Sequence, residues 1–146
     1  DAPSTITRLQ NMGTPDYLIS AACQLVLAQR LARRSCKDCR VPDDDVTPKV
    51  LQDLGFSPEQ ASRVKALKGK GCAKCKDTGY KGRQGIYEIL VVSKPVKEAI
   101  LRKATTPELR QIAIKEGFQT MQDMGRRLIA NGELNFREYE RVLASE

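Results

Sequence analysis

The chain has 146 residues, of which 40% are hydrophobic, only 5% are aromatic and none is Trp, so any core is built from aliphatic side chains. Its 25 basic and 18 acidic residues give a formal net charge of +7, and it has no histidine at all. No run approaches the roughly 18 uninterrupted apolar residues of a membrane span, and the commonest general base of enzymes is missing.

The first stretch, APSTITRLQNMG, places Ile6, Leu9 and Met12 at helical spacing and stops at Gly13, which predicts a short helix. In TPDYLISAACQLVLAQRL, Thr14 reads as an N-cap, Pro15 as the first helical position and Asp16 as a first-turn acid. Its apolar stripe runs through Leu18, Ile19, Ala22, Cys23, Leu25 and Val26, after which LVLAQRL reads as a strand. Cys23 on that stripe is expected to be a small buried apolar residue. From Arg33 to Gly71 the composition shifts to charged and turn-forming residues. Thr47-Pro48 opens and Gly55 closes a short helix there, and Ser57-Pro58-Glu59 opens a second through Leu67, together a helical hairpin.

RQGIYEILVV is a mostly apolar run rich in β-branched and aromatic residues, the pattern of a strand covered on at least one face. Four helices are expected after it. Val96, Ile100 and Leu101 mark one, and Thr106-Pro107-Glu108 starts another that ends at Gly117. Thr120 caps a third, with Asp123 at N3, apolar Met121, Met124, Leu128 and Ile129, and a stop at Gly132; Asn135 with Glu138 begins the last. The fold class is therefore α+β and mostly helical.

Chemistry concentrates at Cys36-Lys-Asp-Cys39 and Cys72-Ala-Lys-Cys75, two CxxC pairs with 32 residues between them. Two intervening residues let a tight turn point both sulfurs at one tetrahedral ion, and two such turns close a four-thiolate site. Thiolate softness favours structural zinc, with iron as the rival metal. Disulfides suit an oxidising compartment, a thioredoxin-type pair needs a βαβ setting, and ferredoxin runs are more closely spaced, so these readings fit less well. The gap is longer than the roughly 15 to 20 residues of a plain zinc ribbon, and the helical hairpin accounts for the excess. Four protein ligands leave no open position to activate water. There is also no GxxxxGK[ST] loop for phosphate. By its own residues the chain lacks the parts of a complete enzyme.

The metal unit reads as an excursion that leaves near Arg34 and returns near Arg83, placing LVLAQRLARR beside RQGIYEILVV, antiparallel. A stand-alone zinc adaptor or nucleic-acid module is the competing class, suggested by the net charge. Against it, the aromatic residues near the knuckles are only Tyr80 and Tyr87.

Taken together, DAPSTITRLQNMG, AQRLARRSCKDC and GCAKCKDTGYKGRQGIYEIL resemble the C-terminal part of the type IV pilus assembly ATPases and their relatives, the type II secretion ATPases. The resemblance is looser over 91–146, where ELNFREYERV still agrees. It implies a hexameric, RecA-like motor in the bacterial cytoplasm, docked at the inner membrane on a platform protein. ATP and Mg2+ would be held upstream of Asp1, by residues that precede this segment. The expected domains are the end of the motor core (1–35), a tetracysteine zinc subdomain with a helical insertion (36–82), and a return strand with C-terminal helices (83–146). Cys36, Cys39, Cys72 and Cys75 match the family's zinc ligands. No catalytic or nucleotide-binding residue is assigned within the chain, and the paired cysteines place it on the assembly or secretion side of the superfamily. The basic flank of Lys74, Lys76 and Lys81 is expected to steer docking on neighbouring subunits or the platform. Arg30, Arg33 and Arg34 could reach a nucleotide or a neighbouring subunit in a hexamer, but surface arginines are usually solvated, and no catalytic role is assigned to them. Ser35 departs from the family, which commonly has an apolar residue there.

Overall fold

Asp1 caps the first helix, α1 (Ala2–Asn11): its carboxylate accepts from the Ser4 backbone N–H at 2.8 Å. The helix closes at Met12, and Gly13 takes a left-handed φ of +91° that lets the chain turn away. Helix α2 (Asp16–Ala22) begins one residue later than the capping pattern predicts. Thr14 is not its cap; the Thr14 N–H donates to the Leu9 carbonyl at 3.1 Å, finishing α1. Pro15 occupies the N-cap without a side-chain bond. The structure, a computed structural model, describes residues 1–144.

Strand β1 (Leu25–Ser35) pairs with a later strand, β4 (Tyr80–Val91). Val92 N–H donates to Gln24 O at one end and Cys36 N–H to Gly79 O at the other, each at 2.9 Å, so the strands run antiparallel as expected. After β1 come β2 (Arg40–Pro42), α3 (Pro48–Asp53), α4 (Pro58–Arg63) and β3 (Leu67–Gly69). Thr47 caps α3, and a Ser57–Gln60 capping box starts α4.

Helix α4 ends at Arg63 rather than continuing to Leu67. Its C-cap, Val64, is already extended at ψ 127°, and Leu67–Gly69 instead forms an antiparallel ladder with β2, Leu67 opposite Pro42 and Gly69 opposite Arg40. A partner strand 25 or so positions away overrides a weak local helical preference. The remaining helices are α5 (Lys94–Leu101), α6 (Thr106–Lys115), α7 (Met121–Ala130) and α8 (Phe136–Leu143), the last capped by Asn135.

The chain forms two compact units. The first comprises Asp1–Gln29 and Tyr87–Thr120, with α1, α2, α5 and α6 enclosing a core of Ile6, Ile19, Val26, Leu90, Ile100 and Leu109. Cys23 packs partly buried against that core, the small apolar filler its position predicts. The second comprises Arg30–Ile86 and the chain from Met121 onward, and holds α3, α4, α7, α8 and both cysteine pairs. Leu51, Ile86, Ile129 and Leu134 are fully buried within it. Gly125 on α7 lets α8 approach closely, since a Cβ there would lie 2.5 Å from Leu143 Cδ1.

Candidate metal centre

Cys36 directly follows β1, and the Cys39 N–H turns back to the Cys36 carbonyl at 3.3 Å. The second pair sits on a short 3-10 turn, Ala73–Cys75. Left-handed Lys76 and Asp77 (φ 54° and 59°) then curl the chain, with Asp77 N–H on Cys72 O at 2.9 Å. Gly69 and Gly79 bring two backbones into contact beneath this turn. A Cβ on Gly79 would stand 2.4 Å from Gly69 O, and Gly79 also has a φ of +79°. No other residue type fits there without moving the backbone.

These turns gather the four cysteines that the spacing singles out. All four Sγ atoms lie within 4.8 Å of one another, and Cys36, Cys39 and Cys75 are buried. Cys36–Cys72, Cys39–Cys75 and Cys72–Cys75 are 3.8, 3.9 and 3.7 Å apart, sulfur to sulfur. A tetrahedron with metal–sulfur bonds of about 2.3 Å has edges of about 3.8 Å. The cluster is thus compatible with one bound metal ion. It is the one group of three or more Cys, Asp or Glu side chains with such convergence among the described residues.

Backbone donors surround the sulfurs. Cys39 accepts from Gly71 N–H at 3.4 Å, and Cys75 from Cys72 and Gly79 N–H at 3.2 and 3.3 Å. Burial pushes both thiols up. At Cys39 burial wins over the Gly71 bond and the thiol rises to about 11. At Cys75 the two N–H donors, helped by Cys72 and Cys39, outweigh burial and bring it to about 6. Donors of this kind disperse thiolate charge, as a dianionic four-thiolate centre requires.

Ser35, the departure at the base of the first knuckle, is fully buried, and its hydroxyl has no hydrogen-bond partner. An apolar side chain would fill that place without the cost of a desolvated hydroxyl.

Next to the knuckles lies an ionic network that sequence reasoning does not reach. Glu138 on α8 is fully buried. Its carboxylate accepts from Arg33 at three points, the backbone N–H at 2.9 Å, Nε at 3.1 Å and Nη2 at 2.8 Å, and from Arg141 Nε at 3.0 Å. Burial pushes the Glu138 carboxyl up, but the bonds from Arg141 and Arg33 win and hold it down near about 2. The Arg33 guanidinium also stacks 4.0 Å over the Tyr80 ring, whose hydroxyl accepts from Asn135 Nδ2 at 3.0 Å. The only local signal was Asn135 and Glu138 three apart, which marks a helix start and says nothing of burial.

Arg33 and Arg34 are exposed, as expected, and Arg30 half-buried, yet all three also bond within the chain: Arg30 Nη1 donates to Val142 O at 2.5 Å and Arg34 Nη2 to Gln84 Oε1 at 2.5 Å. Lys74, Lys76 and Lys81 are exposed, with Lys74 Nζ 3.5 Å from Asp38. Arg33 covers one face of the Tyr80 ring, and Asn135 holds its hydroxyl.

Residues 1–141 match the family described as type II/IV secretion system protein. Among curated relatives, the chain is 38% identical to the type IV pilus assembly ATPase PilB of Myxococcus xanthus over 138 residues, 94% of this chain and 24% of that protein. It is 41% identical to PilB of Thermus thermophilus over 128 residues, 86% of this chain and 14% of that protein. It is 33% identical to the type II secretion system protein HxcR of Pseudomonas aeruginosa over 142 residues, 97% of this chain and 26% of that protein. The chain thus spans about a quarter or less of the length of these relatives.

Proposed function

The chain belongs to the type II/IV secretion system protein family, and on that premise we propose that it forms the C-terminal part of a hexameric cytoplasmic motor ATPase that powers type IV pilus assembly. The observation carrying this reading is the convergence of Cys36, Cys39, Cys72 and Cys75 within a segment that matches the family almost end to end. In this proposal the four cysteines bind one structural Zn2+. The ion supplies a rigid cross-link between two distant turns and, with four protein ligands, no open site for chemistry. The chain's own residues hold and shield it: Gly71, Cys72 and Gly79 donate to sulfur, and Gly69 and Gly79 permit the close approach.

Residues 1–35 are the end of a RecA-like motor core, 36–82 the zinc subdomain and 83–146 the return strand and C-terminal helices. ATP and Mg2+ bind outside this segment, and 1–146 alone does not turn over ATP. The partners are neighbouring subunits and an inner-membrane platform protein, with the motor peripheral to that membrane. No described helix is long and apolar enough to cross a membrane.

A type II secretion motor is the second reading, favoured by the relative HxcR. A P-loop encoded upstream, one zinc per chain by elemental analysis, and restored pilus extension in a null strain would support the first reading. Restored secretion without pili would support the second. ATP hydrolysis by residues 1–146 alone, or salt-dependent DNA binding by them, would refute both. Lys74, Lys76 and Lys81 changed together to Glu test platform docking: unchanged binding leaves the zinc unit as a staple only.

A further inference from the structure

Within the first unit, the two faces of the β1–β4 pair differ in an unexpected direction. Inward, Val26, Leu90 and Val92 join the helical core, none more than 9% exposed. Outward, Leu25, Leu27, Ile89 and Val91 stand 55%, 51%, 49% and 61% exposed. An antiparallel sheet with one wet face alternates apolar inside with polar outside, and a strand reads as a near-continuous apolar run where both faces are covered. β4 has the second character. Its inward Glu88 is 2% exposed, accepting from the Ala2 N–H at 2.5 Å, while Ile89 and Val91 face outward.

Two further observations point the same way. Of the eleven large hydrophobic side chains that stand exposed among the described residues, ten belong to this first unit. Each of these two strands pairs with one other strand among the described residues. A two-stranded sheet is by itself marginal, and further strands or a covering layer are what stabilise it.

We infer that the face formed by Leu25, Leu27, Ile89 and Val91 is an internal packing surface, covered in the complete polypeptide by segments of that same polypeptide lying outside residues 1–146. This rests on reading the chain as one part of a longer motor; the matched portions are only 14% to 26% of three relatives' lengths. A second copy of the chain is the less fitting occupant. Four aliphatic side chains fall well short of the 20 to 30 residues, about 800 Å2 per partner, that a stable interface uses.

The test compares hydrogen exchange over residues 25–29 and 87–91 in the 146-residue chain and in the longer natural polypeptide. Exchange should slow by at least about tenfold in the longer chain. Ile89→Lys should leave the melting of the 146-residue chain within about 1 °C and lower that of the longer chain by several degrees. Equal exchange at both lengths overturns the inference, as does protection in the short chain that grows with its concentration. So does a longer chain in which Ile89→Lys melts with its parent, or a reading frame that adds nothing to residues 1–146. ATP turnover is measured separately: a longer chain that covers the face but does not hydrolyse ATP keeps this inference and refutes the motor reading.

Discussion

Glu138→Gln removes one negative charge from a buried site while keeping its shape. The folded Glu138 carboxyl lies near about 2 against an ordinary 4.5. At 1.36 kcal/mol per pKa unit, that depression corresponds to at most about 3.4 kcal/mol. Arg33 and Arg141 are 47% and 54% exposed, so solvent screens part of the interaction. About 2 kcal/mol is the expected loss at neutral pH, below the 3 to 5 that breaking a wholly buried pair costs.

The pH dependence has a definite sign. Because the folded carboxyl is depressed, its stabilisation is complete above about pH 4.5 and disappears as pH falls from there through about 2. Effects of acid on the rest of the chain are shared by wild type and Glu138→Gln, so they cancel in the difference. Urea unfolding of both proteins at neutral pH and near pH 3 measures this difference, and a double-mutant cycle with Arg33→Met isolates the pair. The reasoning is refuted if Glu138→Gln lies within about 0.5 kcal/mol of wild type at neutral pH, or if the gap does not shrink in acid.

Ser35→Ala should stabilise the chain by about 1 kcal/mol in the same assay, because it deletes a buried hydroxyl without a partner; a loss of stability would mean the hydroxyl is bonded in solution. Gly79→Ala should cost more than about 2 kcal/mol and weaken metal retention, whereas Gly82→Ala, with the same φ of +79° but open space around it, should cost only about 1. Equal costs by thermal melting would show that the contact with Gly69 does not matter. Cys75→Ser should abolish stoichiometric zinc in elemental analysis and lower the melting temperature, as should a strong chelator on the parent; a melting curve indifferent to both would argue against a structural metal.

Much of this protein was readable without coordinates because its signals are local. The helix start at Ser57-Pro58, the Asn135 cap and the left-handed glycines at 13, 55 and 117 act within a few residues of themselves, while α6 is capped by Thr105, one residue before the start its sequence suggests. The CxxC spacing is likewise a short-range geometric statement, which is why the four cysteines could be grouped before their sulfurs were seen to converge.

Other features depend on what lies far away in the chain. Leu67–Gly69 became a strand only because Arg40–Pro42 was there to receive its hydrogen bonds. Thr14 falls one residue short of the α2 N-cap, which is Pro15, and its N–H closes α1 instead. Glu138 looks like a surface helix residue until Arg33, 105 positions earlier, is brought against it. Ser35's cost and the bare aliphatic face of β4 likewise appear only once neighbours are placed. Caps, turns and knuckles are set by torsions and bonds between adjacent residues, so the amino-acid order determines them. Burial, charge pairing and strand partnership are energies between distant residues, and only the folded chain decides which of them meet.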